Sequence, residues 1–200
     1  MNTKAWKLVG IGAVAAVTML VTGCGGATEG VATAADTAAT STSSAAVATT
    51  SGHEGSDSGG RVDIDVEIGD CVQLGGTSDA ATIAEAACGS DESNYRVIAK
   101  AEKNAQCPSD VDQVYYETKW GNERGALCLD LDWVMGGCMT LPDDKEVEPT
   151  RVECDDPVAS GIERAVETIE GVADIEQCSE GGFLYDERMF TVCTETVRPA

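Results

Sequence analysis

The fold of this chain is constrained most by a pattern of cysteines that occurs twice. One copy begins with Gly69-Asp70-Cys71 and the other with Gly136-Gly137-Cys138, and in each copy a leucine follows three positions after the cysteine. The stretch from Leu127 to Cys138 ends the first copy and opens the second. We therefore expect two similar halves, 61–133 and 134–200, that pack together as one domain.

Residues 1–23 have the features of a bacterial signal peptide. Lys4 and Lys7 precede an apolar run over 8–21, which is too short for a stable membrane-spanning helix. Small residues lead directly into Cys24, which resembles the lipobox of bacterial lipoproteins, where the thiol receives a diacylglyceryl group. The alternative is an ordinary secretory peptide with an incidental cysteine. We expect lipidation of Cys24 and a location on the extracytoplasmic face of the cell membrane.

The segment 24–60 connects the expected lipid anchor to the folded part. After Cys24 it consists almost wholly of alanine, threonine, serine and glycine. Such a composition cannot bury enough apolar surface to offset the entropy lost on ordering the chain. The sequence therefore predicts a flexible tether.

The net charge of −22, from 13 basic and 35 acidic residues, limits the partners of the chain. A surface this acidic repels nucleic acid and anionic lipid headgroups. It favours a cationic partner, such as another protein of the cell envelope, although solubility alone also accounts for it.

The first half is predicted to contain mostly strands. Apolar and acidic residues alternate over 61–68, which indicates a strand whose three carboxylates face solvent and do not form a calcium site. A hairpin is expected from Cys71 to Cys88, with residues 72–74 paired to 85–87. Further strands are expected at 95–100 and 126–131.

One short helix is expected in each half. In the first half, Ser109 or Asp110 can cap a helix that carries Val111, Val114 and Tyr115 on one face and ends before Gly121. The second half contains a conflict, because the apolar spacing over 162–169 indicates a helix. Alignment of the two halves places a strand there instead, and we choose the strand.

The second half is completed by a helix-like element at 174–177 and a closing strand at 188–194. The predicted fold class is therefore α+β, with two β-rich, disulfide-stabilised half-repeats of antiparallel strands that each include a short helix.

Eight cysteines remain after Cys24, an even number that suits an oxidising compartment. If both halves follow one rule, three pairings remain, and we choose the sequential one. Each bridge then closes a loop of about 15 to 21 residues, which contributes roughly 3 kcal/mol of stability. Zinc ligation is disfavoured, because the cysteines lack the close spacing of structural zinc sites. The predicted bridges are Cys71–Cys88, Cys107–Cys128, Cys138–Cys154 and Cys178–Cys193.

These motifs resemble those of a known family. The lipobox, the acidic segment that ends in Gly69-Asp70-Cys71, the Cys107-Pro108 pair and above all the stretch 127–138 look like actinobacterial lipoproteins of the LppU type. The resemblance covers about 61–200 and implies a cell-envelope lipoprotein with no assigned enzyme activity. A looser similarity links each half to septum-formation-related extracellular domains, whose usual histidine after the second cysteine is absent here.

No catalytic residue is predicted. His53 is the only histidine and lies in the tether, so a serine or cysteine nucleophile has no histidine base in the folded part. Two readings follow: a non-enzymatic binding or interaction module, and alternatively an envelope hydrolase that uses paired carboxylates. No cofactor or metal is expected. Trp133 is predicted to pack between the halves, and Trp120 to lie near a turn.

Overall fold

Two antiparallel sheets form the framework of the computed structural model, which describes residues 54–144 and 146–198. The first sheet consists of β1 (Cys71–Thr77), β2 (Ala80–Ala86), β3 (Tyr95–Ala101), β4 (Gln113–Lys119) and β5 (Asn122–Leu131), in the spatial order β2-β1-β3-β5-β4. The second consists of β6 (Cys138–Thr140), β7 (Thr150–Val152), β8 (Ile162–Glu170), β9 (Gly181–Tyr185) and β10 (Phe190–Val197), in the order β7-β6-β8-β10-β9.

The two sheets have the same strand order, so the repeated cysteine pattern corresponds to a repeated topology. The resemblance extends to the backbone at the start of each half. The N–H of Gly69 donates to the carbonyl of Val97 at 2.8 Å, and the N–H of Gly136 donates to the carbonyl of Ala165 at 2.7 Å.

The predicted α+β class is wrong. The described residues are organised in strands, and their helical content consists of two short 3-10 helices, Asn104–Gln106 and Ile175–Gln177. The helix expected after Asp110 is in fact β4. Its residues Val114, Tyr115 and Tyr116 are β-branched or aromatic, and they favour a pleated, half-buried strand over a helix.

The strand expected over 61–68 is also absent, although its burial pattern is as predicted. Val66 is buried and the carboxylates on either side of it are exposed. The backbone makes no ladder, because Arg61 donates to a carbonyl of β5 while Asp63 donates to the side chain of Glu117. Alternation of apolar and polar residues thus indicated which side is buried and did not indicate strand pairing.

The other predicted strands are found, with one change of register. The β1–β2 hairpin pairs Cys71 with Ala86 and Leu74 with Ile83, which shifts the partner strand by two residues from the expected pairing. In the second half, the choice of strand over helix at 162–169 is correct, because β8 pairs with both β6 and β10.

One hydrophobic core joins the two halves. It contains Val72 and Leu129 from the first sheet together with Met139 and Val192 from the second. Trp133 lies between them at 2% exposure, and its ring centroid is 5.1 Å from that of Phe183. The halves therefore share this core, while a smaller cluster that includes Ile98, Ala126 and Cys128 lies within the first half.

Four disulfides close the halves separately. The bonded pairs are the ones that the sequential rule gives, with Cα–Cα distances from 5.0 to 5.4 Å. Each bridge links a strand to a loop beside it. No bridge between the halves occurs among the described cysteines: the pairs are Cys71–Cys88, Cys107–Cys128, Cys138–Cys154 and Cys178–Cys193.

The last residues of the predicted tether lie against the first sheet. The N–H of Gly55 donates to the carbonyl of Ile98 at 2.7 Å, and the N–H of Ser58 donates to that of Lys100 at 2.9 Å. Cys24 and His53 lie outside the described residues, as does the rest of the tether and the signal peptide. In the part of the chain that is described, no helix has the length and apolar character needed to cross a membrane.

Candidate functional site

A surface groove of about 550 Å³ is lined by residues of the first half and by two glutamates of the second. We call it the edge groove. One wall is the turn between β1 and β2, and the other is the outer side of β4. The described lining residues are Leu74, Thr77, Ser78, Asp79, Ala80, Ala81, Gln113, Val114, Tyr115, Tyr116, Thr118, Glu146 and Glu148.

The edge groove exists because the first sheet is curled. β2 and β4 are the two outermost strands of that sheet, yet both line the same groove. Irregular pairing between Val97 and Ala99 and between Glu117 and Thr118 marks bulges, which increase the local twist of a sheet. The two edges of the sheet consequently approach each other at this end.

The edge strands leave main-chain groups available. Among the described residues, β4 pairs with β5 on one side and has no strand on the other. Alternate N–H and C=O groups of such a strand point away from the sheet, where they can pair with another extended chain. The side-chain amide oxygen of Gln113 accepts from the N–H of Val114, so part of this edge is already satisfied within the strand.

A loop from the second half closes one end of the groove. The carboxylate of Glu146 accepts hydrogen bonds from the backbone N–H and the hydroxyl of Ser78, at 3.3 and 3.0 Å. The carboxylate of Glu148 accepts from the hydroxyl of Tyr95 at 2.7 Å. Burial and then this hydrogen bond raise the pKa of Tyr95 well above its ordinary value, so the phenol remains protonated as the donor.

The electrostatic character of the edge groove is acidic. Asp79, Glu146 and Glu148 contribute carboxylates, and the described lining residues include no lysine or arginine. Tyr115 and Tyr116 add aromatic surface, and Tyr116 is 47% exposed. The groove therefore combines negative charge, aromatic surface and a strand edge, which suits a cationic ligand in an extended conformation.

A second group of carboxylates is buried where the two halves meet. The guanidinium of Arg188 donates to Asp110 at 2.9 Å and also to Asp130, and it lies over the rings of Tyr185 and Phe190. Arg188 and both carboxylates are almost fully buried. The network connects the turn before β10 to the first half. Because an unpaired buried charge is costly, separating the two halves here would destabilise the fold.

Asp112 lies beside this network and has a strongly altered acidity. Its carboxylate accepts from the N–H of Leu131 at 2.8 Å and from the hydroxyl of Tyr185 at 2.7 Å. Burial, reinforced by the charge of Asp130, raises the pKa of Asp112 to about 7. The hydrogen bonds and the charge of Arg188 act in the opposite direction and reduce the size of that increase.

Asp112 and Asp130 are two carboxylates close enough for the charge of Asp130 to raise the pKa of Asp112, and the alternative prediction of a hydrolase requires a pair of this kind. A pair of this kind acts on a substrate only if it faces a cleft large enough to hold one. The cavity beside Asp130, which Trp133 and Tyr185 also line and Asp112 does not, has a volume of about 10 Å³, the space of a single water. Its geometry thus gives no support to glycoside hydrolysis.

Asp132, in the stretch between the halves, is a structural acceptor. Its carboxylate accepts from the N–H of Gly89 at 2.6 Å, from the hydroxyl of Ser93 at 2.7 Å and from Arg151 at 3.2 Å. The sulfur atoms of Cys71 and Cys88 are close to it, but they are bonded to each other and cannot act as thiolate ligands. This cluster therefore holds the seam together and offers no cysteine ligand for a metal.

Neither the edge groove nor the Arg188 network was predicted from the sequence. The groove joins residues far apart in the chain, and its carboxylates look like any others in an acidic sequence. Arg188 offered one usable signal: basic residues are scarce here, so each is a candidate partner for a buried carboxylate.

The chain was compared with protein-family models, with curated proteins and with solved structures, and none of these comparisons found a match. The functional argument therefore rests on the geometry and chemistry of the groove.

Proposed function

We propose that this chain is an extracytoplasmic lipoprotein of the cell envelope, anchored through lipid on Cys24. Its folded part is a non-enzymatic binding module that captures an extended, cationic segment of an envelope protein. The signal peptide and lipobox pattern support the location. We also propose that the chain is a lipoprotein of the LppU type, from the lipobox, Gly69-Asp70-Cys71, the Cys107-Pro108 pair and the stretch 127–138. The edge groove carries the proposal for binding.

The single observation behind the binding proposal is that a free strand edge and a set of carboxylates share one groove. An extended segment can lie along the seven residues of β4, or about 23 Å at roughly 3.3 Å per residue, and pair with the outward-facing main-chain groups that are not already bonded to Gln113. Its basic side chains then lie near Asp79, Glu146 and Glu148. Backbone pairing provides affinity and the carboxylates provide selectivity for positive charge.

The overall charge of the chain supports the same ligand class. A net charge of −22 attracts cationic segments over several ångströms before contact and raises their association rate. At about 0.15 M salt the screening length is roughly 8 Å, so steering weakens as salt is added. Binding of the proposed ligand should consequently decrease with ionic strength.

The proposal predicts selective binding of a cationic peptide. The probe is a peptide of about nine residues in which arginine alternates with threonine, and the comparison is the same peptide with glutamate in place of arginine. Isothermal calorimetry on the full-length chain should show saturable binding of the first and none of the second. Asp79→Asn combined with Glu146→Gln should weaken binding about tenfold, because two favourable charge contacts are lost.

The control for this experiment is a pair of exposed carboxylates on the second half, Glu153 and Glu167. Glu153→Gln combined with Glu167→Gln changes the net charge by the same amount and leaves the groove intact. If both double variants weaken binding equally, the effect is one of general charge, and the groove is not the binding site.

Anchoring at Cys24 has its own test. Cys24→Ser removes the thiol that would receive the lipid, so the protein should move from the membrane fraction to the medium or the soluble fraction. Ser43→Ala, a change in the tether, should leave the protein in the membrane fraction. Retention of the Cys24→Ser protein in the membrane would contradict lipid anchoring at this residue.

A further inference from the structure

The turn between β4 and β5 carries an unusual residue. Lys119 pairs with Asn122, so the turn has two central residues, Trp120 and Gly121. Both have a positive φ, of 53° and 79°, which is the conformation of the tight hairpin turns that prefer asparagine followed by glycine. A tryptophan is unfavourable there, since its Cβ crowds the backbone in the left-handed region.

Trp120 is also the most exposed large apolar side chain among those described. It is 91% exposed, and a Cβ added at Gly121 would meet nothing within 4 Å. The turn therefore projects away from the rest of the described protein. A large aromatic side chain that is held in an unfavourable conformation and is 91% exposed gains little from packing in the folded chain, which points to a role in contact with another molecule.

The surroundings of the ring indicate what kind of group it binds. The ammonium of Lys119 lies over the indole, 5.0 Å from the ring centroid, so this ring already accepts a cation on one face. Thr118, the last residue of β4 that lines the edge groove, is two positions before Trp120, or about 7 Å along a strand. A segment that follows β4 along the groove would reach the indole.

We propose that Trp120 is a cation-stacking platform at the end of the edge groove, and that the captured segment carries an arginine which stacks on it. This inference rests on the proposed function and specifies its ligand. Arginine suits the site better than lysine, because a planar guanidinium stacks on an indole while it also donates hydrogen bonds to carboxylates. Lys119 is exposed, so an incoming guanidinium can displace it from the ring.

Trp120→Asn separates a functional role from a structural one. Asparagine before Gly121 is the preferred turn sequence, so this variant should fold and should unfold at a temperature equal to or above that of the wild type. It lacks the aromatic face. Calorimetry on the full-length chain compares the arginine–threonine peptide with the same peptide carrying lysine in place of arginine.

The wild type should bind the arginine peptide more tightly than the lysine peptide. In Trp120→Asn, affinity for the arginine peptide should fall about tenfold and the preference over lysine should disappear. If Trp120→Asn binds the arginine peptide as the wild type does, or if both peptides lose affinity equally, the stacking role is wrong while the groove remains. If the wild type binds neither peptide, the proposed function fails as well.

Discussion

Trp133→Ala is expected to lower the free energy of unfolding by roughly 3 to 5 kcal/mol, the usual range for truncating a buried tryptophan. Trp133 is 2% exposed in the core shared by the two halves. Its indole N–H donates to the hydroxyl of Tyr185 at 3.4 Å, and its ring contacts Phe183. The substitution removes apolar contacts with both sheets and leaves a cavity at their junction.

Trp120→Ala is the matched control, because it removes the same side chain from a fully exposed turn. Urea denaturation of the oxidised chain, followed by circular dichroism, should place the midpoint of Trp133→Ala well below that of the wild type. The midpoint of Trp120→Ala should change little. Equal losses in the two variants would show that Trp133 does not join the halves.

Asp112→Asn is expected to make the chain more stable at neutral and alkaline pH. An aspartate has a pKa near 3.8 when unfolded, whereas burial and Asp130 raise the pKa of folded Asp112 to about 7. The folded state therefore holds a proton that the unfolded state releases. The stability from this group is fully present below pH 3.8 and is lost as the pH rises through 7.

The size of the effect follows from the difference between the two pKa values. Each pKa unit corresponds to about 1.4 kcal/mol, so the stability that Asp112 contributes falls by on the order of 4 kcal/mol between pH 4 and pH 8. Asparagine imitates the protonated acid and can still accept from Tyr185. The unfolding free energy of Asp112→Asn relative to the wild type should consequently rise over this interval.

The exposed carboxylate Asp65 provides the control for this titration. Denaturation midpoints of the wild type, Asp112→Asn and Asp65→Asn at several pH values give the comparison. A difference between Asp112→Asn and the wild type that stays constant from pH 4 to pH 8 would contradict the raised pKa.

The cysteine framework was the most informative part of the sequence. Two copies of one spacing pattern implied two equivalent halves, and equivalence reduced the possible pairings to three, of which the chosen sequential one is found in the structure. The same alignment led to the correct assignment of β8, where apolar spacing alone indicated a helix. Comparison between repeats therefore carried more information than local periodicity.

Local sequence patterns predicted the wrong secondary structure where tertiary contacts determine the backbone conformation. Val111, Val114 and Tyr115 have helical spacing, but Val114 packs against the smaller cluster around Cys128 while Tyr115 packs on the shared core. These contacts lie on opposite sides of β4, which only a strand can supply. At 61–68 a strand was predicted and none is found, because burial alternates there although the segment pairs with no neighbouring strand.

The edge groove could not be predicted because it depends on the curl of a whole sheet. Asp79 lies in a turn of the first half, and Glu146 and Glu148 lie in a loop of the second. No sequence pattern distinguishes them from the other acidic residues. Trp120 was assigned to a turn from Gly121, but its φ of 53° and its exposure were needed to reveal it as a candidate contact residue.

The most direct test of the binding proposal is a map of the ligand on the protein. The isotope-labelled full-length chain is titrated with the arginine–threonine peptide, and amide chemical shifts are followed by NMR at low and high salt. Saturable changes should concentrate on β4, the β1–β2 turn and the loop around Glu146 and Glu148, and they should weaken as salt is added. Changes that concentrate on the second sheet, or that never saturate, would contradict capture of a cationic segment in the edge groove.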